Sequence, residues 1–147
     1  MPSAKPSLLF VPGAWHNPTC LTSTASILEK EGCTCDLIAL PSIGSERRSN
    51  DPSQDWNADV EEIHQRVMRR LDGDDVVLVV HSYGGTVGSE AVKSLERSDK
   101  AAAGKETAVT RLVSLNAIVL DIGSWIWKAT NNEPMDPTKT TLKAFLF

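Results

Sequence analysis

Cysteine is scarce: Cys20, Cys33 and Cys35 are the only three in 147 residues. An odd count cannot close a full set of disulfides, and Cys33-x-Cys35 has neither a two-residue redox spacing nor partners spaced for zinc. Free thiols, buried or half-buried, in a reducing compartment are expected, with no metal site. Basic side chains are also few, 15 Lys and Arg against 19 Asp and Glu for a net charge of -4. Nothing in that balance draws the chain to phosphate backbones or anionic lipid, so neither nucleic acid nor membrane is an expected partner. Long apolar runs are missing as well. Leu8 to Val11 is too brief for a signal peptide, and Ala117 to Leu120 is closed by Asp121, far short of the roughly 18 residues of a spanning helix. A cytoplasmic location is the expectation. There is no internal repeat and no low-complexity segment, and at about 100 to 200 residues per domain the length leaves room for one core.

What is present alternates in kind along the chain. Ser7 to Val11 is a short apolar run ending in Pro12-Gly13, the pattern of a strand buried on both faces followed by a turn. Pro18 to Glu31 places Leu21, Ala25 and Leu28 at helical intervals before Gly32, and Thr34 to Leu40 reads as a second strand. Pro41 to Asp55 is rich in Ser, Pro, Gly and charge and reads as a loop over one sheet edge. The clearest periodicity follows, with Trp56, Val60, Ile63, Val67 and Leu71 as one stripe of an amphipathic helix. Asp59, Glu61 and Glu62 near its start and Arg69 and Arg70 near its end favour the helix dipole. Val76 to Val80 is the central strand, Val87 to Leu95 resumes a helical spacing, and Val109 to Leu115 or a little beyond is the fourth strand. The expected fold is therefore α/β, three layers, with a mostly parallel sheet of about four strands and flanking helices. Chemistry in such sheets collects at the carboxyl ends of strands, here Pro12 to His16, Leu40 to Gly44, His81 to Gly85 and Asn116 to Asp121.

Val80-His81-Ser82-Tyr83-Gly84-Gly85 sets a serine at the turn from the central strand into a helix. That is close to the Gly-x-Ser-x-Gly elbow, whose strained backbone pushes the serine oxygen out over the sheet edge. Val80 stands where glycine is usual, so room for the turn must come from elsewhere. A serine at this place can also simply cap the helix. A second segment, Phe10-Val-Pro-Gly-Ala-Trp-His16, ends the first strand, where a serine hydrolase needs a main-chain N–H for the oxyanion. With these two motifs the sequence resembles the α/β-hydrolase superfamily, in particular the small-esterase branch of plant methylesterases and hydroxynitrile lyases. Pro12 and Val80 replace that branch's first His and first Gly. The resemblance implies Ser82 as nucleophile, the N–H groups of Ala14 and Tyr83 as oxyanion donors, and Trp15, His16 and His81 beside the pocket. It implies a small-molecule ester as substrate and no cofactor.

The same resemblance implies an acid and then a histidine after the elbow, and no histidine follows His81. His81 adjoins Ser82, but alternate strand residues face opposite ways, so its ring is not expected to reach the serine oxygen. His64, within the helix, reads as a partly exposed surface residue. His16 reads as shaping the pocket rather than acting as a base. Asp121 is either a triad acid or ordinary turn chemistry. Residues 1–121 thus read as the N-terminal part of an α/β-hydrolase domain, truncated at its C-terminal side, with 122–147 an atypical tail or cap-region stub. An uncovered edge on the fourth strand would favour self-association.

Three functions follow for comparison: a serine esterase, weak or inactive without a triad histidine; a non-catalytic remnant or small-ligand binder; and a nucleotide-binding domain built on Gly84-Gly85-x-x-Gly88. The last lacks both the Gly-x-Gly-x-x-Gly spacing and a Gly-Lys-Ser/Thr motif.

Overall fold

The apolar runs become four strands in the computed structural model, which describes residues 5–43 and 55–120. They are β1 (Ser7–Val11), β2 (Thr34–Leu37), β3 (Val76–Ser82) and β4 (Val109–Ala117), joined in the order β2-β1-β3-β4 with every pair parallel. A short 3-10 helix, Pro18–Leu21, leads into α1 (Thr22–Lys30), followed by α2 (Trp56–Leu71), α3 (Gly84–Ala91) and α4 (Arg97–Ala102). The expected three-layer α/β arrangement is the one observed.

Strand alternation divides the core in two. Leu9, Val11, Leu78 and Val80 point to one face, where they pack with Ile63, Val67 and Leu71 of α2 and Val87 and Ala91 of α3. Phe10, Val77 and Val79 point to the other, against Leu21 and Leu28. Covering both faces is what lets β3 be almost wholly aliphatic. Each of its buried side chains contributes about 1.5 to 3 kcal/mol by leaving water.

The helix α2 begins where Asp55 accepts hydrogen bonds from the main-chain N–H groups of Asn57 and Ala58, at 2.9 and 3.1 Å, a side-chain cap for otherwise orphaned donors. Its buried row is Asp59, Ile63, Val67 and Leu71, so the helix is rotated slightly from the stripe expected from apolar residues alone. Trp56 lies 37% exposed and Val60 is half-buried. Arg66 and Arg70 pair with Asp36 and tie the helix to β2.

Two boundaries and one element differ from the sequence reading. The strand β2 stops at Leu37, although the Ile38 N–H still donates to the Phe10 carbonyl at 2.9 Å. The helix after Ser82 ends at Ala91, because the chain turns through Ser94 at a φ of 62°. The short α4 was not anticipated, since Arg97–Ala102 carries no apolar stripe. Cys33 and Cys35 are half-buried thiols, while Cys20 is exposed rather than buried.

Candidate active site at the carboxyl edge of the sheet

Ser82 is the last residue of β3 and is half-buried, with a φ of 50°. The β3–β4 register slips between His81 and Ser82, and the chain then enters α3 through Tyr83. A left-handed conformation at a residue bearing a side chain costs about 1 to 3 kcal/mol and persists only where its surroundings enforce it. Among the described residues other than glycine, positive φ occurs at Trp15, Ser82, Ser94 and Asn116. Three of the four lie at or just beyond the carboxyl ends of β1, β3 and β4, so the strain gathers at one edge of the sheet.

The tight turn is made possible by glycine. A Cβ on Gly84 would stand 2.7 Å from the Pro12 carbonyl oxygen. A Cβ on Gly88, one turn further along α3, would stand 2.7 Å from Cγ1 of Val80. That second contact answers how a branched Val80 is tolerated two residues before the serine: the helix supplies the space by having no side chain at residue 88. Gly84 and Gly88 are thus accounted for by the close packing of α3 on the sheet.

Gly13 brings the loop after β1 against the turn at Ser82. Its own Cβ would lie 2.9 Å from Ser82 Cβ, 3.0 Å from His81 Nδ1 and 3.4 Å from His16 Nδ1. Ser82 and both histidines therefore converge on this glycine. The His16 Nδ1–H donates to the Ala14 carbonyl at 2.8 Å, and the His16 ring stands edge-on to His81 with centroids 5.7 Å apart. Among the described residues neither the Ala14 nor the Tyr83 N–H has an acceptor. Trp15 is 85% exposed, so it stands at the rim of the site rather than within it.

No hydrogen bond among the described residues joins Ser82 to a histidine. The β3–β4 register is irregular at this point, and His81 Nδ1 and Ser82 Cβ both lie close to Gly13. Burial, and then the charge of His16, hold the His81 imidazole below its ordinary value, so it is neutral near pH 7. His64 is half-buried and its Nδ1–H donates to the Ala91 carbonyl at 2.8 Å, which joins α2 to α3. Asp121 and the tail 122–147 fall outside the described residues.

A group missed by the sequence reading is bonded to Tyr83, the residue after Ser82. The Asp59 carboxylate is fully buried. It accepts from the Ser42 N–H at 2.8 Å, the Ser42 hydroxyl at 2.5 Å and the Tyr83 hydroxyl at 2.8 Å. Its position four residues before Ile63 on the buried row was the available signal; it had been counted only as helix-dipole charge.

The alpha/beta hydrolase family pattern matches residues 8–144. The chain belongs to the alpha/beta hydrolase family. It is similar to the alpha/beta hydrolase nvfD of Aspergillus novofumigatus, 38% identical over 120 residues, which are 81% of this chain and 46% of that protein. A relative from Phoma sp., whose name also calls it a hydrolase, is 32% identical over 139 residues, 94% of this chain and 51% of the relative. This hydrolase chain thus spans about half the length of the curated relatives it matches. Among solved structures, a methylesterase from Arabidopsis superposes with a TM-score of 0.61 at 19% identity, covering 80% of this chain and 45% of that one. Polyneuridine aldehyde esterase does so with a TM-score of 0.61 at 18% identity, covering 88% and 48%. These two likenesses establish the hydrolase fold, and both neighbours are esterases by name.

Proposed function

We propose that this chain carries the nucleophile and the oxyanion site of a serine esterase acting on a small ester. Ser82 Oγ attacks the ester carbonyl, and the N–H groups of Ala14 and Tyr83 receive the negative charge that develops on the carbonyl oxygen. Collapse of the tetrahedral species expels the alcohol and leaves an acyl-serine for water to hydrolyse. The single observation carrying this reading is the strained, half-exposed Ser82 packed against Gly13, with two main-chain donors beside it that have no acceptor among the described residues. The esterase names of the structural neighbours support the choice of substrate class.

Turnover by this chain is expected to be low. The serine proton needs a base, and the sequence holds histidine only at positions 16, 64 and 81, none bonded to Ser82 among the described residues. Removing a triad histidine typically costs roughly a million-fold in turnover and leaves roughly a thousand-fold over water. A fluorophosphonate should modify Ser82, slowly but selectively, and Ser82→Ala should abolish both this and any p-nitrophenyl acetate hydrolysis above background. No modification at Ser82 would reject the assignment.

The lack of a histidine bonded to Ser82 favours a second reading, a binder of small ligands that does no chemistry. Thermal stabilisation by an ester that is recovered intact would select it over the first.

A further inference from the structure

The row of α2 that faces the sheet runs Asp59, Ile63, Val67, Leu71, and all four are buried. Three are aliphatic and serve packing. A carboxylate in the first place is costly for the fold alone, because a well-packed apolar residue there avoids desolvating a charge. No ion pair offsets it among the described residues. Instead, three donors converge on its two oxygens, two from Ser42 and one from Tyr83.

Those donors come from two different strand ends. Ser42 lies beyond β2, and Tyr83 follows the strained Ser82 directly. The Tyr83 ring is also held edge-on by Trp56 of the same helix, with centroids 6.5 Å apart. The phenol is therefore gripped by α2 at both its ring and its hydroxyl. Burial, and then donation to Asp59, keep that hydroxyl protonated by raising its pKa. An anchor of this kind, one residue past a left-handed serine, opposes relaxation of the elbow.

We infer that Asp59 is a positioning residue for acyl transfer at Ser82: by holding the Tyr83 hydroxyl and both donors of Ser42, it keeps the Tyr83 N–H aimed at the oxyanion. This rests on the role given to Ser82 above. Asp59 touches no reacting atom in this arrangement and acts only through Tyr83.

The test uses the 147-residue chain and two readouts, the second-order rate of Ser82 modification by a fluorophosphonate and main-chain amide exchange by NMR. Tyr83→Phe removes one oxygen and leaves the ring. It should slow modification about tenfold, a fraction of the loss when an oxyanion donor is deleted. It should speed exchange at Tyr83 while Leu9 and Leu78 stay as protected as before. Asp59→Asn, whose amide can still bond hydroxyls that reverse their roles, should keep more of the rate than Asp59→Ala. Unchanged modification in folded Tyr83→Phe overturns the inference while leaving Ser82 as nucleophile. A uniform rise in exchange across β1 and β3 assigns Asp59 a purely structural role and overturns it equally. An unmodified parent chain removes the Ser82 assignment, and this inference with it.

Discussion

Leu78 and Leu112 are register partners on adjacent strands, yet Leu78 is fully buried and Leu112 is 41% exposed. Both are leucine, and both sit in parallel β-structure. The difference lies in what covers the sheet. The strand β3 is enclosed by helices on its two faces, whereas among the described residues β4 is buried at Val109 and Ala117 and more open between them, with Val113 37% and Leu115 41% exposed. The apolar content of a strand therefore reports its capacity to be buried, and its neighbours decide whether that capacity is used. The edge that carries Ser82 follows the same division, since the turn into α3 grows from the enclosed strand.

The sharpest way to test this contrast is truncation of the two partners. Leu78→Ala should lose about 2 to 5 kcal/mol in denaturant unfolding, the range for a cavity in a rigid core. A loss under about 1 kcal/mol would mean that β3 is not the closed centre it is taken to be. Next in size is Gly88→Ala, which forces a methyl against Val80 and should cost about 1 to 3 kcal/mol. Adding Val80→Ala should recover part of that loss, giving a coupling of about 0.5 to 3 kcal/mol in a double-mutant cycle. Strictly additive losses would show that residue 88 is not what makes room for the branched side chain.

A smaller effect is expected at His81. Its pKa lies below the ordinary 6.5 in the folded chain, so between the two values the unfolded chain binds the extra proton. Its contribution to stability is complete above the unfolded value and declines as pH falls through 6.5 toward the folded one. His81→Gln should flatten the stability profile on that acid side, and an unaltered slope below pH 6.5 would contradict the shift. On β4, the edge strand among the described residues, Val113→Lys is expected to lower the apparent mass by light scattering at high concentration, as charge on an edge discourages strand pairing. A parent chain that is already a monomer removes that expectation. Leu112→Ala should change stability least, by about 0.5 kcal/mol or less.

Much of the architecture was legible because local physics wrote it. The four valines flanking Leu78 and the spacing of Ile63, Val67 and Leu71 each act over a few residues, and each produced the element expected. Ser82 and the Gly13–Ala14 turn were legible for a similar reason, as short motifs tied to strand ends. Asp59 was not, because a carboxylate on the first turn of a helix satisfies the dipole equally well when it faces water. Its burial depends on Ser42 and Tyr83, which are 17 and 24 residues away along the chain. The compensation of Val80 by Gly88 was hidden likewise, since an eight-residue separation says nothing of a strand and a helix in contact.

The sequence by itself determined the order of strands and helices, the parallel sheet and the place of the serine turn, because periodicity and turn chemistry are properties of neighbouring residues. Tertiary structure alone decided which face of α2 turned inward, which of two partnered leucines left water, and which histidines gathered at Gly13. Those outcomes depend on distances between segments remote in the chain, and such distances exist only once the layers have closed on one another.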